Sequence, residues 1–120
     1  MAEMTEVRGA AWDVYQEAWS DMPEAKRREL LEKALAEGCR FASPAGEGEG
    51  IEALVTHIGE FQAQYPGAYF KTFKFLFHHD QALAHWTMFG KDGAEFLQGH
   101  SAVRFNESGE LVSLAGFWEL

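Results

Sequence analysis

A chain of 120 residues, 47% hydrophobic and 14% aromatic, carries enough apolar material for one packed core, so a single domain over residues 1–120 is expected and a second is excluded by size. Ten Lys and Arg against nineteen Asp and Glu leave a formal charge of −9, a field that opposes phosphate contacts and disfavours nucleic acid as a partner. There is no apolar run of about eighteen residues for a membrane span, Met1–Arg8 is too polar for a secretory signal, and the lone Cys39 cannot form an internal disulfide; a reducing cytosol, with Cys39 buried, is expected.

Residues 3–19 place Trp12, Tyr15 and Trp19 at spacings of three and four, which predicts a helix with three large rings on one face. Asp21, Pro23 and Glu24 read as the start of a second helix, whose stripe of Leu30, Leu31, Ala34 and Leu35 stops at Gly38. Residues 39–42 read as a short strand, ended by Ser43-Pro44 and a glycine-rich loop over 46–50. This loop lacks the lysine of a phosphate-binding loop and is itself acidic. Ile51, Leu54, Val55, Ile58 and Phe61 carry a third helix up to Tyr65-Pro66-Gly67, after which the period falls to two. Strands are predicted at 69–79, 82–91, 94–105 and 110–119.

Facing residues of an antiparallel pair share a side, so the turns sort the side chains. A turn at Asp80-Gln81 pairs Phe77 with Ala84, Phe75 with Trp86 and Phe73 with Met88. Asp92-Gly93 pairs Met88 with Leu97, Trp86 with Gly99 and Ala84 with Ser101, and a loop over 106–109 pairs Val103 with Val112, Ser101 with Leu114 and Gly99 with Gly116. One face then holds Phe73, Phe75, Phe77, Trp86, Met88, Leu97, Val103, Val112 and Trp118, with Ser101 its lone polar group. The other is mixed, with Thr72, Lys74, His85, Gln98, His100 and Arg104 among Leu76, Phe89, Phe96 and Phe117. Three helices covering the apolar face give an α+β layer on a curved, mostly antiparallel sheet. The missing side chains of Gly99 and Gly116 beside Trp86 and Trp118 predict a hollow there.

The order of these elements, with Ala18-Trp19, Arg27-Arg28-x-x-Leu31, Ser43-Pro44, Tyr65-Pro66-Gly67, His78-His79, Gly99-His100-Ser101 and Glu107-Ser108-Gly109-Glu110-Leu111, resembles the SnoaL-like group of the nuclear transport factor 2-like superfamily, which includes ketosteroid isomerase and polyketide cyclases. The resemblance covers residues 8–118 and implies a cone-shaped, cystatin-like fold. In ketosteroid isomerase-like members a helix-one tyrosine and a protonated strand acid stabilise an oxyanion, while a carboxylate before a proline moves the proton. By position Tyr15 matches the tyrosine, whereas Ser43 stands at the carboxylate and Ser101 at the strand acid. A serine has no useful basicity near neutral pH, so Ser43 cannot replace that base.

Tyr15, Ser43 and Ser101 are therefore the weak catalytic candidates, and turn chemistry before Pro44 is the plainer role for Ser43. An unpaired Ser101 hydroxyl would cost about 1–3 kcal/mol, so it needs a partner, whether Tyr15, water or a ligand. The expected ligand pocket comprises Trp12, Tyr15, Trp19, Phe61, Phe75, Trp86, Gly99, Ser101, Gly116 and Trp118, and the expected ligand is small and largely apolar. No cofactor fingerprint is present. His57, at the edge of the helix-three stripe, is read first as a solvated or half-buried histidine, with the pocket rim as its alternative place. Parity brings Lys74, His85, His100 and Ala115 into one row; two imidazoles beside a lysine are too few ligands for zinc, so no metal is expected. The resemblance implies a homodimer through this sheet face. Two readings stay open: a non-catalytic binding module, or an enzyme of isomerase or polyketide cyclase type whose acid-base group the sequence does not identify.

Overall fold

Helix α1 spans Ala2–Glu17 in the computed structural model of the protein, which describes residues 2–119. The expected domain ends, residues 1 and 120, lie outside the described residues. The ring-bearing face of α1 packs inward, with Trp12 and Tyr15 buried. The helix stops at Glu17, two residues before the predicted end, and carbonyls just beyond it are satisfied by a side chain: the buried Arg27 donates from Nε to the Ala18 carbonyl at 2.9 Å and from Nη2 to that of Ser20 at 2.8 Å.

Helix α2 covers Glu24–Ala34, with Pro23 as its N-cap and no side-chain capping bond, so Asp21 does not serve as the predicted cap. The expected run to Gly38 is also cut short. Leu35 is already in strand β1 (Leu35–Ser43), buried and paired with Leu111, and Gly38, at φ +76°, takes up the irregularity between the two stretches of β1 pairing. The predicted loop at 46–50 is mostly a second strand, β2 (Gly46–Glu49), folded back on β1. Its Gly/Glu alternation is a period-two pattern. Gly48 lies opposite Phe41, and a Cβ there would fall 2.7 Å from Phe41 Cζ, so only glycine lets that ring cross the strand.

Helix α3 (Ile51–Gln64) buries Leu54, Val55 and Ile58. The Gln62 amide donates to the carbonyls of Trp19 at 2.7 Å and Ala68 at 2.8 Å and accepts from Gly67 N at 3.1 Å, tying α3 to the end of α1 and to the next turn. Strands β3 (Tyr69–His78), β4 (Gln81–Phe89), β5 (Glu95–Phe105) and β6 (Leu111–Phe117) complete a six-stranded sheet of order β2-β1-β6-β5-β4-β3, antiparallel except for β1 beside β6. The α+β architecture of three helices on a curved, mostly antiparallel sheet is as predicted. No helix among the described residues is long and apolar enough to cross a membrane.

The central hairpin has the predicted register, with Ala84 opposite Ser101, Trp86 opposite Gly99 and Met88 opposite Leu97. Its neighbours are shifted by two: Phe75 faces Ala84 and Phe77 faces Ala82, because the turn sits at His79-Asp80 with His79 at φ +51°, while Ser101 faces Gly116 and Val103 faces Leu114. A two-residue shift keeps each side chain on its face. Bulges do not. An extra residue at Phe73 leaves that ring 59% exposed and turns Thr72 and Phe70 inward; a second near Phe105 puts Leu111 rather than Val112 in the core. A third, between Met88 and Phe89, accompanies the swing of Phe96 from its predicted outer position to the cavity mouth beside Tyr65.

Candidate functional site

Between α1, α3 and the inner face of the sheet lies a cavity of about 530 Å³. Helix α1 and the turn after it supply Trp12, Tyr15 and Trp19; α3 supplies His57 and Phe61; the sheet supplies Phe70, Trp86 and Ser101, and Trp118 follows the end of β6. The rings meet mostly edge to face, as aromatic quadrupoles prefer: Trp19 on Phe61 at 5.2 Å, Phe70 on Trp86 at 5.1 Å and Trp86 on Trp118 at 6.0 Å between centroids. The hairpin joining β1 to β2 closes one side with Phe41, Ser43 and Pro44.

Three side chains named from the sequence as catalytic candidates border this space. Tyr15 is buried, and that burial raises its pKa well above the usual phenol value against the opposing effect of the Trp19 indole N–H, so the hydroxyl keeps its proton. Among the described residues it donates to no acceptor. Ser101 has the partner that its position demanded, and it is Trp86, whose Nε1–H donates to Ser101 Oγ at 3.0 Å. The serine acts there as acceptor, so its own proton is free for a molecule in the cavity. Ser43 Oγ accepts the Ala45 backbone N–H at 3.1 Å, which is the turn role.

Of the expected pocket, Trp12, Tyr15, Trp19, Phe61, Trp86, Ser101, Gly116 and Trp118 border the cavity, while Phe75 and Gly99 do not. Phe75 lines a separate recess of about 330 Å³ with Asp13, Thr72 and Lys74. The hollow predicted above Gly99 is filled: a Cβ there would lie 2.4 Å from Trp86 Cη2, so the indole occupies the space that the missing side chain leaves. Gly116 faces Ser101 rather than Gly99 and sits beside Ser43 and Trp118.

Sequence reasoning missed Phe70, because the bulge at Phe73 reverses its face, and Thr72 for the same reason. Thr72 Oγ1 accepts the Trp12 indole N–H at 2.8 Å and donates to Gln16 Oε1 at 2.5 Å, which leaves the α1 wall with no unsatisfied indole. Phe41, Glu60, Gln64 and Tyr65 were also unassigned; the two polar ones extend the helical face of His57 and Phe61 along α3. His57 is half-buried, and desolvation lowers its pKa while Glu60 opposes the shift. Asp13 lies in the second recess and does not approach Tyr15 through the main cavity. Among the described residues no three His, Cys, Asp or Glu side chains gather around a common metal position.

On the opposite sheet face, His85 and His100 are paired across strands with Nδ1 atoms 2.6 Å apart. Lys74 lies next to His85 as predicted, but the row continues to Phe117 rather than Ala115, which pairs with Ala102.

This fold recurs in solved structures. A proposed isomerase of the SnoaL-like family from Agrobacterium tumefaciens superposes with a TM-score of 0.87 at 24% identity, covering 96% of this chain and 99% of that one. A proposed polyketide cyclase from Sinorhizobium meliloti gives 0.72 at 13% identity over 89% and 93% of the two chains. A protein of unknown function with a cystatin-like fold from Methylobium petroleophilum gives 0.71 at 20% identity over 99% and 77%. No curated protein matches the chain. The SnoaL-like domain matches residues 12–114, nearly the whole sequence, and the chain belongs to that family.

Proposed function

We propose that the protein binds a compact, largely apolar molecule carrying a hydrogen-bond acceptor, held in the cavity by aromatic contact and oriented by the Tyr15 and Ser101 hydroxyls. The observation that carries this reading is the aromatic-walled cavity of about 530 Å³ in which both hydroxyls keep an uncommitted proton. A volume of this size falls within the usual range for small-molecule sites. A reducing, cytosolic setting is supported by Cys39, a free and buried thiol whose pKa burial pushes up to about 12. With a net charge of −9, an uncharged ligand suits the molecule better than nucleic acid.

The experiment is native mass spectrometry of the purified protein to recover a co-purified small molecule, followed by ligand-induced thermal shift with Tyr15→Phe and Ser101→Val. Each variant is expected to weaken binding by about fivefold to tenfold, the worth of one hydrogen bond of about 1–1.5 kcal/mol. Unaltered binding in both removes these residues from the site. A second reading, proton-transfer chemistry of the isomerase or cyclase type, is favoured by one observation, the half-buried imidazole of His57 on the cavity wall.

We also propose a homodimer through the sheet face carrying Lys74, His85 and His100. It is supported by the apolar row Leu76, Leu83, Ala102 and Ala115 across four strands, and by Leu76 and Phe117 being 48% and 57% exposed.

A further inference from the structure

We infer that the cavity takes an organic cation: an apolar body whose acceptor end meets Tyr15 and Ser101 inside, and whose outer end is a tertiary or quaternary ammonium seated among the aromatic rings of the mouth beside Glu60. The inference rests on the ligand-binding role proposed above and narrows its ligand. Among the described residues that border the cavity there is no lysine or arginine, and Glu60 is the only acid. It stands on α3 one turn after His57 and one turn before Gln64. Glu60, Gln64 and Phe96 are exposed as well as cavity-lining, so the three mark where the cavity meets solvent. Tyr15 is buried, which puts the hydroxyl end of the cavity on the inside. A molecule held at its acceptor end therefore presents its other end to Glu60.

The mouth has the chemistry of a cation cage. Trp19, Phe61, Tyr65 and Phe96 form a continuous line of rings, with centroids 5.2, 5.5 and 5.3 Å apart in that order. Each ring is tilted or edge-on to the next, so ring faces are not used up by stacking. The negative face of an aromatic ring attracts a weakly hydrated ammonium, and the attraction grows as the site is desolvated.

Glu60 adds a full negative charge to that preference. Among the described residues it joins no ion pair, whereas Glu24, Glu29, Glu49 and Glu52 each meet a lysine or arginine. Its field reaches the cavity wall, where it favours the imidazolium of His57. Desolvation acts the other way on that ring and prevails, so the wall is left without a competing cation. The net charge of −9, which disfavours a polyanion, favours a cation over a neutral molecule of the same shape.

The probes are (4-acetylphenyl)trimethylammonium and 4-tert-butylacetophenone, one ketone in two forms of equal shape that differ by a single charge. Trp19 and Trp86 in the wall report both by fluorescence quenching. Wild-type protein is expected to bind the ammonium form about fivefold or more tighter at low salt. Glu60→Gln should weaken the ammonium form by about threefold, less so in about 0.5 M salt, and leave the neutral ketone within about twofold. Phe96→Leu, an exposed change that keeps apolar contact and removes the ring, should lower the preference similarly. Glu107→Gln removes the same charge from the turn between β5 and β6, away from the cavity lining, and should change neither affinity. Equal or tighter binding of the neutral ketone, an unaltered preference in both Glu60→Gln and Phe96→Leu, or an effect of Glu107→Gln as large as that of Glu60→Gln overturns the inference and leaves the binding role standing. Failure of the wild type to bind either probe overturns both.

Discussion

The Arg27 guanidinium closes the end of α1 from the neighbouring helix, holding the carbonyls of Ala18 and Ser20 from a buried position. Methionine there would keep much of the packing and leave two carbonyls without a partner. Arg27→Met is expected to destabilise the protein by about 2–4 kcal/mol, since each bond from a charged donor contributes roughly 1.5–3 kcal/mol and some carbonyls recover water. Urea unfolding checks this; a loss under 0.5 kcal/mol would remove Arg27 from the account. At this scale the sequence was informative about side chains whose position follows from spacing within one element. Tyr15 follows from helical spacing, and Ser101 from the parity of the Asp92-Gly93 hairpin. The role of Arg27 was not legible, because nothing in its local pattern announces a carbonyl seven residues behind it in the chain. His57 read as solvated or half-buried, and its half-burial stands; its place in the cavity wall was not legible because Phe41, Trp19 and Gly46 reach it from three other elements.

Element registers illustrate which errors matter. Turn placement at His79-Asp80 instead of Asp80-Gln81 moved the β3/β4 pairing by two residues and changed no face. One additional residue in β3 reversed the assignment of everything before Phe73 in that strand. Composition gives little warning of a bulge, because Tyr69–Phe73 mixes apolar and polar residues in both phases and so favours neither. The bulge residue is itself dispensable for sorting: with Phe73 removed, inward Thr72 would be followed directly by outward Lys74, which is regular alternation. A Phe73 deletion is therefore expected to fold with a stability within about 1 kcal/mol of wild type, whereas deleting Phe75 removes a ring packed against the core and, in regular alternation from Thr72 to Phe77, turns Lys74 inward, at a cost of more than about 3 kcal/mol. Thermal melts of the two deletions decide it. The β2 strand was missed for another reason: glycine has low strand propensity, and its role there depends on Phe41 lying across Gly48.

At the scale of the whole molecule, helices cover one side of the sheet and the other side is proposed to meet a second copy. Desolvation first, then His100 and Lys74, depress the pKa of His85, so its neutral form is favoured. With His85 held towards its neutral form, acidification adds an imidazolium beside Lys74 on a face that would be turned towards its own copy. Sedimentation is expected to show a dimer at pH 8 and a shift to monomer by pH 5.5. A sedimentation coefficient unchanged between the two would argue against the sheet-face dimer or against histidine at its centre.

The sheet is not closed, and its two outermost strands are unlike ordinary templates for backbone pairing. One is four residues long and carries Glu47 and Glu49; the other is kinked at Phe73. A neighbouring chain approaching either border meets acidic side chains or a broken ladder. Growth into a cross-β stack is thus blocked at both ends of an architecture that has to stay open to curve around its contents.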